Sequence, residues 1–273
     1  MNSQTPPLRV YSGARAWDIV WKWKWFAREQ WQPGFRKAKE GTRRAMASLL
    51  PKLDVKSVLD CSCGLGWKTI LLKEMGYDVE GCDGSAFAVK HASELASDEG
   101  HDIRFFRSRW ERLGETCGRR YDCVYCDAFA WITTRRSLRA SARGVYSVLK
   151  RGGTFVFQGA HQWSRESDRQ RLIDEEYKAE GPFEALPTYE KDGVRLVTLI
   201  AREKKQDGIL GNRIHIIDDN GTVRIEIASI PDLCKWTWAD YRETLSGAGF
   251  CDVYSVKERG VRPGPYYLNV AVK

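Results

Sequence analysis

Two aspartates and two glycines form the group of residues most able to do chemistry in this chain. Asp60 stands four residues before Gly64, Gly66 follows, and Asp83 comes twenty-three residues after Asp60. All four lie in S-V-L-D-C-S-C-G-L-G-W-K-T-I-L-L-K-E-M-G-Y-D-V-E-G-C-D, residues 57–83. Glycine lets the backbone turn without a Cβ and come close to a ligand. A carboxylate that closes the strand after such a turn can accept hydrogen bonds from both hydroxyls of a ribose.

The flanking residues supply the elements that would hold these groups. Residues 57–59 are a short apolar run ending at Asp60, which reads as a strand. Residues 68–74 have helical spacing, with Ile70, Leu71 and Leu72 apolar, and Gly76 sits where a helix would be capped. Residues 77–81 read as a second strand that delivers Asp83 to the edge holding the glycine turn. That edge is where an open α/β sheet binds its ligand. Dinucleotide binders carry G-x-G-x-x-G/A to seat a pyrophosphate. Here the third position is Thr69, and Asp60 would repel a pyrophosphate while suiting the ammonium of an amino-acid moiety. The pattern D-x-x-x-G-x-G therefore favours S-adenosylmethionine over NAD. An ordinary glycine-rich strand–helix turn is the blander reading and leaves both acids without a role.

At 273 residues the chain suits one large domain with an insertion, or two small ones. Hydrophobic content of 42% is ordinary and suggests neither a disordered nor a membrane class. No apolar run approaches the roughly 18 residues that span a bilayer. The start, M-N-S-Q-T-P-P, lacks the apolar stretch of a secretory signal, so a cytoplasmic enzyme is expected. Eight cysteines pose a choice between disulfides, metal and buried thiols. Cys123 and Cys126 are formally C-x-x-C, but inside an apolar strand alternation puts them on opposite faces. Cys61, Cys63, Cys82 and Cys126 fall near the ligand edge, where small buried hydrophobes outweigh a thiolate cluster.

The net charge of +8 invites a nucleic-acid reading. Much of it lies in the first fifty residues, where ten Lys/Arg face three Asp/Glu. No RNA-binding module, zinc ribbon or basic tail accompanies it, so a small-molecule partner is favoured and neither nucleic acid nor membrane is expected. Residues 1–40 form an aromatic and basic arm with Trp17, Trp21, Trp23, Trp25 and Trp31. Alternation of Trp21, Trp23 and Trp25 is strand-like, whereas Trp17/Trp21 and Trp21/Trp25 are helical pairs; the period leaves both open. Such a segment either packs its indoles on the core or acts as a lid that excludes water, with Tyr11-Ser12-Gly13 as its hinge.

A helix is expected over 41–53, another over 85–96, and strands over 103–106, 121–126 and 154–158, with a helix over 139–149. After that the alternation of strands and helices stops. Residues 164–180 are charged and helical in composition, and 195–202, 213–217 and 222–227 read as strands. Asp219-Asn220-Gly221 joins the last two as a hairpin. A helix over 238–248 and strands over 253–256 and 267–272 close the chain.

With these motifs in order, the chain resembles the class I S-adenosylmethionine-dependent methyltransferases. Within them it is most similar to the glycine N-methyltransferase and glycine/sarcosine methyltransferase group. The resemblance rests on V-L-D-C-S-C-G-L-G with Asp83, R-S-R-W at 107–110, Y-D-C-V-Y-C-D-A-F-A at 121–130, L-K-R-G-G-T-F-V-F at 149–157, and the ending R-P-G-P-Y-Y. It implies an α/β fold: a Rossmann-like seven-stranded methyltransferase sheet with an antiparallel inserted subdomain and an N-terminal lid segment. The expected division is 1–40 lid arm, 41–163 cofactor-binding core, 164–231 inserted substrate cap, and 232–273 completing the core sheet.

Carried over by position, the resemblance implies that Asp60, Cys63, Gly64 and Gly66 line the methionine and ribose part. Asp83 and Gly84 would hold the ribose, and Ser108, Arg109 and Trp110 would flank adenine. Arg109 departs from the asparagine often found before that tryptophan. A basic residue on the preceding helix contacts the cofactor carboxylate in the family, with Arg36 and Arg43 as candidates and Arg43 carried forward. Where relatives place an asparagine after the fourth strand this chain has Asp127, which suits a cationic acceptor and could also touch the cofactor. The arginine that holds the glycine carboxylate in the family is replaced by Q-G-A-H-Q-W (158–163). Asp127 and His161 are the candidate catalytic bases, and Tyr11 could close over the site. The expected activity is methyl transfer to the nitrogen of a small molecule: an amino acid, amine or guanidine. An O-methyltransferase, an RNA methyltransferase and a non-catalytic cofactor binder are the rivals, and a homo-oligomer is expected by analogy.

Overall fold

The computed structural model describes residues 6–158, 166–206, 208–234, 236–256 and 268–273. His161 and the ending R-P-G-P-Y-Y lie outside the described residues. In chain order the elements are β1 (Leu8–Ser12), α1 (Ala14–Phe26), α2 (Arg28–Leu49), β2 (Ser57–Cys61), α3 (Trp67–Glu74), β3 (Asp78–Asp83), α4 (Ala86–Asp98), β4 (Phe105–Arg107) and α5 (Leu113–Thr116). They continue as β5 (Tyr121–Cys126), α6 (Arg135–Val148), β6 (Leu149–Gln158), α7 (Glu166–Glu180), β7 (Phe183–Ala185), β8 (Tyr189–Lys191), β9 (Val194–Lys205) and β10 (Gly208–Asp219). β11 (Thr222–Cys234), α8 (Trp238–Gly247), β12 (Asp252–Ser255) and β13 (Leu268–Val272) complete them. The chain divides into two compact units, Gln32–Asp168 with Trp236–Lys273, and Met1–Trp31 with Arg169–Lys235.

The first unit holds a seven-stranded sheet in the order β12-β13-β6-β5-β2-β3-β4. The five strands from β6 to β4 are parallel; at one edge β13 runs antiparallel to β6, and β12 antiparallel to β13. This is the expected Rossmann-like α/β sheet. Parallel strands covered on both faces need apolar side chains in succession rather than in alternation. β2 obeys this: every residue of S-V-L-D-C is buried. On one face Ala45, Met46 and Leu49 of α2 join Leu50, Val58, Val79, Cys123, Tyr125, Val156 and Val270 in an aliphatic cluster. The other face carries Phe129, Phe155, Phe157, Tyr241 and Phe250, with Phe129 edge-on to Phe155 at 5.0 Å. Each such fully buried side chain contributes ~1.5–3 kcal/mol. The chain leaves β2 toward β3 and β4 on one side and reaches β5 and β6 on the other. The strand order reverses between β2 and β5, which opens a crevice at their carboxyl ends.

The second unit is a six-stranded sheet in the order β1-β11-β10-β9-β7, with β8 also paired to β9. The hairpin β10–β11 turns at Asn220-Gly221, both with positive φ (50° and 88°), as a two-residue hairpin loop of this type requires. Both strands run further than the sequence indicated. The tryptophan segment is α1, a helix packed on this sheet, with Ala16 against Ala228 and Ile230 and Trp23 against Leu196 and Ile217. Residues expected as a separate arm of 1–40 thus fold partly with the inserted strands, and α2 starts at Arg28 rather than at residue 41.

Candidate active site

The turn after β2 builds the crevice. Ser62 adopts φ 70° and Gly64 φ 54°, and the N–H groups of Ser62 and Cys63 both donate to the Cys82 carbonyl, at 2.8 and 2.9 Å. Gly66, at φ 81°, opens α3. A Cβ there would meet the Ala92 side chain at 2.8 Å, so glycine is required both by the backbone and by the close approach of α4. The loop is therefore tied directly to the end of β3.

Asp83 sits at that end, 9% exposed. Its Oδ2 accepts the Gly64 N–H at 3.0 Å and its Oδ1 accepts the Ser85 N–H at 2.8 Å. These amides take two of the about four acceptor positions a carboxylate offers. Asp60 is deeper, 1% exposed, and its Oδ2 accepts the Thr69 hydroxyl at 2.6 Å, which fixes the first turn of α3 to β2. Burial pushes the Asp60 carboxyl up to about 6, against the Thr69 hydrogen bond and the Lys68 charge, which pull it down. Burial also holds the thiols of Cys61 and Cys63 well above their ordinary range. The Cys126 thiol is pushed up to about 12 by burial, so these sulfurs stay protonated and behave as small apolar groups.

Asp127, just past β5, is half-buried and ion-paired with Lys68, the second residue of α3. The Lys68 ammonium lies 5.0 Å from the Trp67 ring and 5.8 Å from the Tyr125 ring. This pair was not read from the sequence. The signal was a lysine in the first turn of a helix, where the dipole disfavours a cation and an acid must answer it. Asp127 is thus already balanced, which removes the argument that its bare charge selects a cationic acceptor.

Past β4, the Ser108 N–H donates to the Asp83 carbonyl at 3.0 Å, and its hydroxyl lies 2.7 Å from the Thr116 hydroxyl. Gly84 sits beside it, its carbonyl accepting Arg107 Nε at 3.0 Å. Arg109 is exposed and Trp110 half-buried, its ring 6.1 Å from Phe129. A Cβ on Gly144 of α6 would fall 1.9 Å from the Trp110 carbonyl oxygen, so this loop rests directly on the α6 backbone. The structure thus gathers Asp60, Cys63, Gly64, Gly66, Asp83, Gly84, Ser108, Trp110 and Asp127 in one unit around the carboxyl edge of its sheet.

Two expected residues lie elsewhere. Arg43 pairs with Glu74 at 2.6 Å, where Lys39 also binds at 2.7 Å. Glu74 ends α3, so Arg43 is held at the opposite end of that helix from the glycine loop, and its expected contact with the cofactor carboxylate is corrected to a structural ion pair. Tyr11 belongs to β1 of the other unit and packs against the cluster of Ala16, Ala228 and Ile230.

A family described as "Methyltransferase domain" matches residues 58–153, the span from β2 into β6. Residues 58–153 thus carry a methyltransferase domain. Among characterised relatives, the glycine/sarcosine N-methyltransferase of Aphanothece halophytica is 28% identical over 148 residues, covering 51% of this chain and 53% of that protein. That of Halorhodospira halochloris is 29% identical over 109 residues, covering 39% and 41%. The chain thus matches about half the length of these relatives or less. The methyltransferase fold extends further. The sugar N-methyltransferase KedS8 from Streptoalloteichus superposes with a TM-score of 0.64 at 21% identity, over 86% of each chain. CalS10, an amino pentose methyltransferase from Micromonospora echinaspora solved with S-adenosylmethionine bound, gives 0.60 at 19% identity, over 93% and 96%.

Proposed function

We propose that this protein uses S-adenosylmethionine to methylate a nitrogen of a small molecule, an amino acid, amine or guanidine. The observation that carries the cofactor reading is the charge set at the glycine edge: Asp60, Asp83 and Asp127 against Lys68. Three carboxylates and one ammonium repel a pyrophosphate and suit a ligand with a sulfonium, an ammonium and a carboxylate. Asp83 offers acceptors to a ribose diol while its own geometry is fixed by two backbone amides. A zwitterionic ligand can exchange into the Lys68–Asp127 ion pair, its carboxylate meeting the ammonium and its amine the Asp127 carboxylate, with no net charge created. When bound, the cofactor supplies a methyl group already activated on sulfur.

The chain's own residues then have to position and to exclude water, and alignment alone is worth roughly 7–11 kcal/mol. Asp127 can orient an acceptor amine or take its proton, with Lys68 holding the carboxylate in place. Nitrogen is favoured over oxygen because the relatives matched at 28–29% identity are N-methyltransferases by name. RNA is disfavoured because the turn after β5 reads Asp127-Ala128-Phe129 and lacks the Pro-Pro of base-amino methyltransferases. No helix among the described residues is long and apolar enough to cross a membrane.

The test is a panel of amino acids, amines, amino sugars and guanidines screened for S-adenosylhomocysteine release, with the product's methyl assigned by NMR. An N-methyl product from one class is expected. An O-methyl product, or turnover only with RNA, overturns the reading.

A further inference from the structure

Strands β2 and β5 flank the crevice where the sheet order reverses, and one ion pair joins the segments that follow them. Lys68 comes after β2, on α3, and Asp127 comes after β5. An open α/β sheet binds its ligand at this point. Lys68 is the one buried lysine among the described residues, 9% exposed. Lys39, Lys150, Lys191 and Lys204, also ion-paired, keep a quarter or more of their side chains in solvent. Burial of an ammonium is costly, and the Asp127 carboxylate offsets it. An arginine would serve that purpose better, because its planar fork grips a carboxylate with two donors and never sheds its proton. A lysine in this place keeps an amine that can lose one. Two rings also lie against the ammonium, Trp67 at 5.0 Å and Tyr125 at 5.8 Å from Nζ. Aromatic rings around an ammonium are how proteins hold a methylated amine.

We propose that Lys68 is itself a methyl acceptor, so that the protein methylates its own Nζ at this position. The inference rests on the function proposed above, in which the acceptor's nitrogen meets Asp127. The nitrogen that meets Asp127 in this structure is that of Lys68. Lys68 Nζ gives one proton to the Asp127 carboxylate and attacks the sulfonium methyl with the freed lone pair. The N–C bond forms as the C–S bond breaks, and S-adenosylhomocysteine leaves. The positive charge passes from sulfur to the methylated nitrogen, and Asp127 releases its proton to water; no further reactant is needed. The Asp127 side chain is 27% exposed, which gives that proton a path out. The methylated ammonium keeps its charge and its ion pair, and the added methyl gains contact with the two rings. An acceptor amine that exchanges into the pair displaces Lys68 from Asp127, so self-methylation belongs to the enzyme without acceptor.

The full chain is incubated with methyl-deuterated S-adenosylmethionine and no added amine, then digested and sequenced by tandem mass spectrometry. The deuterated methyl is expected on Lys68, at a rate at least ~100-fold above any other lysine, because a held nucleophile outruns a diffusing one. The rate per chain should not change when the protein is diluted, as transfer within one chain requires. Asp127→Asn should slow the labelling ~100-fold through the lost proton acceptor. Lys68→Arg should abolish the label at residue 68, since a guanidinium keeps its proton. Binding of S-adenosylhomocysteine, measured by titration calorimetry on the same samples, shows that each variant is folded and holds the cofactor. A wild-type chain that binds S-adenosylhomocysteine and carries no label on Lys68, or carries it evenly over its lysines, overturns the proposal and leaves the proposed function standing. A chain that does not bind S-adenosylhomocysteine overturns both. Labelling of Lys68 at the wild-type rate in Asp127→Asn overturns the proton transfer on which the proposal depends.

Discussion

Two buried carboxylates, Asp83 in the parallel sheet and Glu226 in the antiparallel one, show how differently the two units use an acid. Glu226, on β11, accepts the Trp23 indole N–H at 2.7 Å and lies 3.8 Å from both Lys22 and Arg224. Its acceptors face a helix and a neighbouring cation, so it fastens α1 to the sheet. Asp83 is held instead by two backbone amides at the end of a strand, beside a glycine turn. An acid anchored by backbone amides at a strand end is placed to receive a ligand, whereas one answered by cations and an indole within its own packing layer is structural.

The sharpest test of this contrast compares the two acids directly. Asp83→Ala should lower affinity for S-adenosylhomocysteine several hundredfold, about 3–4 kcal/mol, measured by titration calorimetry, with the fold kept. Glu226→Ala should leave that affinity within twofold and lower stability by about 2–3 kcal/mol in urea, because the indole N–H loses its acceptor. Loss of cofactor affinity in the Glu226 variant, or retention in the Asp83 variant, would collapse the distinction.

Asp60 sharpens it by pH. Its folded-state value of about 6 lies above the ordinary 3.8, so the folded chain holds the proton more tightly than the unfolded one. The contribution of Asp60 is therefore most favourable below about pH 4 and is lost as pH rises through about 6, a difference of about 3 kcal/mol. Asp60→Asn, which keeps an acceptor for Thr69, should gain on the wild type by that amount between pH 4 and pH 7 in denaturant titrations; parallel curves would refute it.

The smallest expected effect is at Lys68. Lys68→Met should weaken cofactor binding ~10-fold, about 1.4 kcal/mol, through the lost cation. An effect on kcat with an unchanged cofactor affinity would instead assign Lys68 to orienting Asp127 alone.

How much of this could be read beforehand depended on how far apart the deciding partners lie. The glycine turn and its two acids were legible because a strand, turn, helix and strand fit within 27 residues, and local periodicity fixes each of them. The Asn220-Gly221 hairpin was legible for the same reason, though its strands were read too short. Arg213, His215 and Glu226 look like surface residues in sequence but face α1. Trp21, Trp23 and Trp25 fit periods of both two and four, and what decides for a helix is the packing of Trp23 onto Glu226, 203 residues away. Likewise Lys68 acquires a role only through Asp127, 59 positions on, and Arg43 lost its expected one because Glu74 lies within its reach. The pairing of β1 with β11 left no local trace, since L-R-V-Y-S is an edge strand held in register by residues more than two hundred positions later.

The depth of Asp60 carries a thermochemical consequence. A cation arriving near this carboxyl lowers its proton affinity, so near pH 6 ligand capture should expel a fraction of a proton into solution. The heat observed in a calorimeter would then differ between buffers in proportion to their own ionisation enthalpies, and would converge to a single value above pH 8.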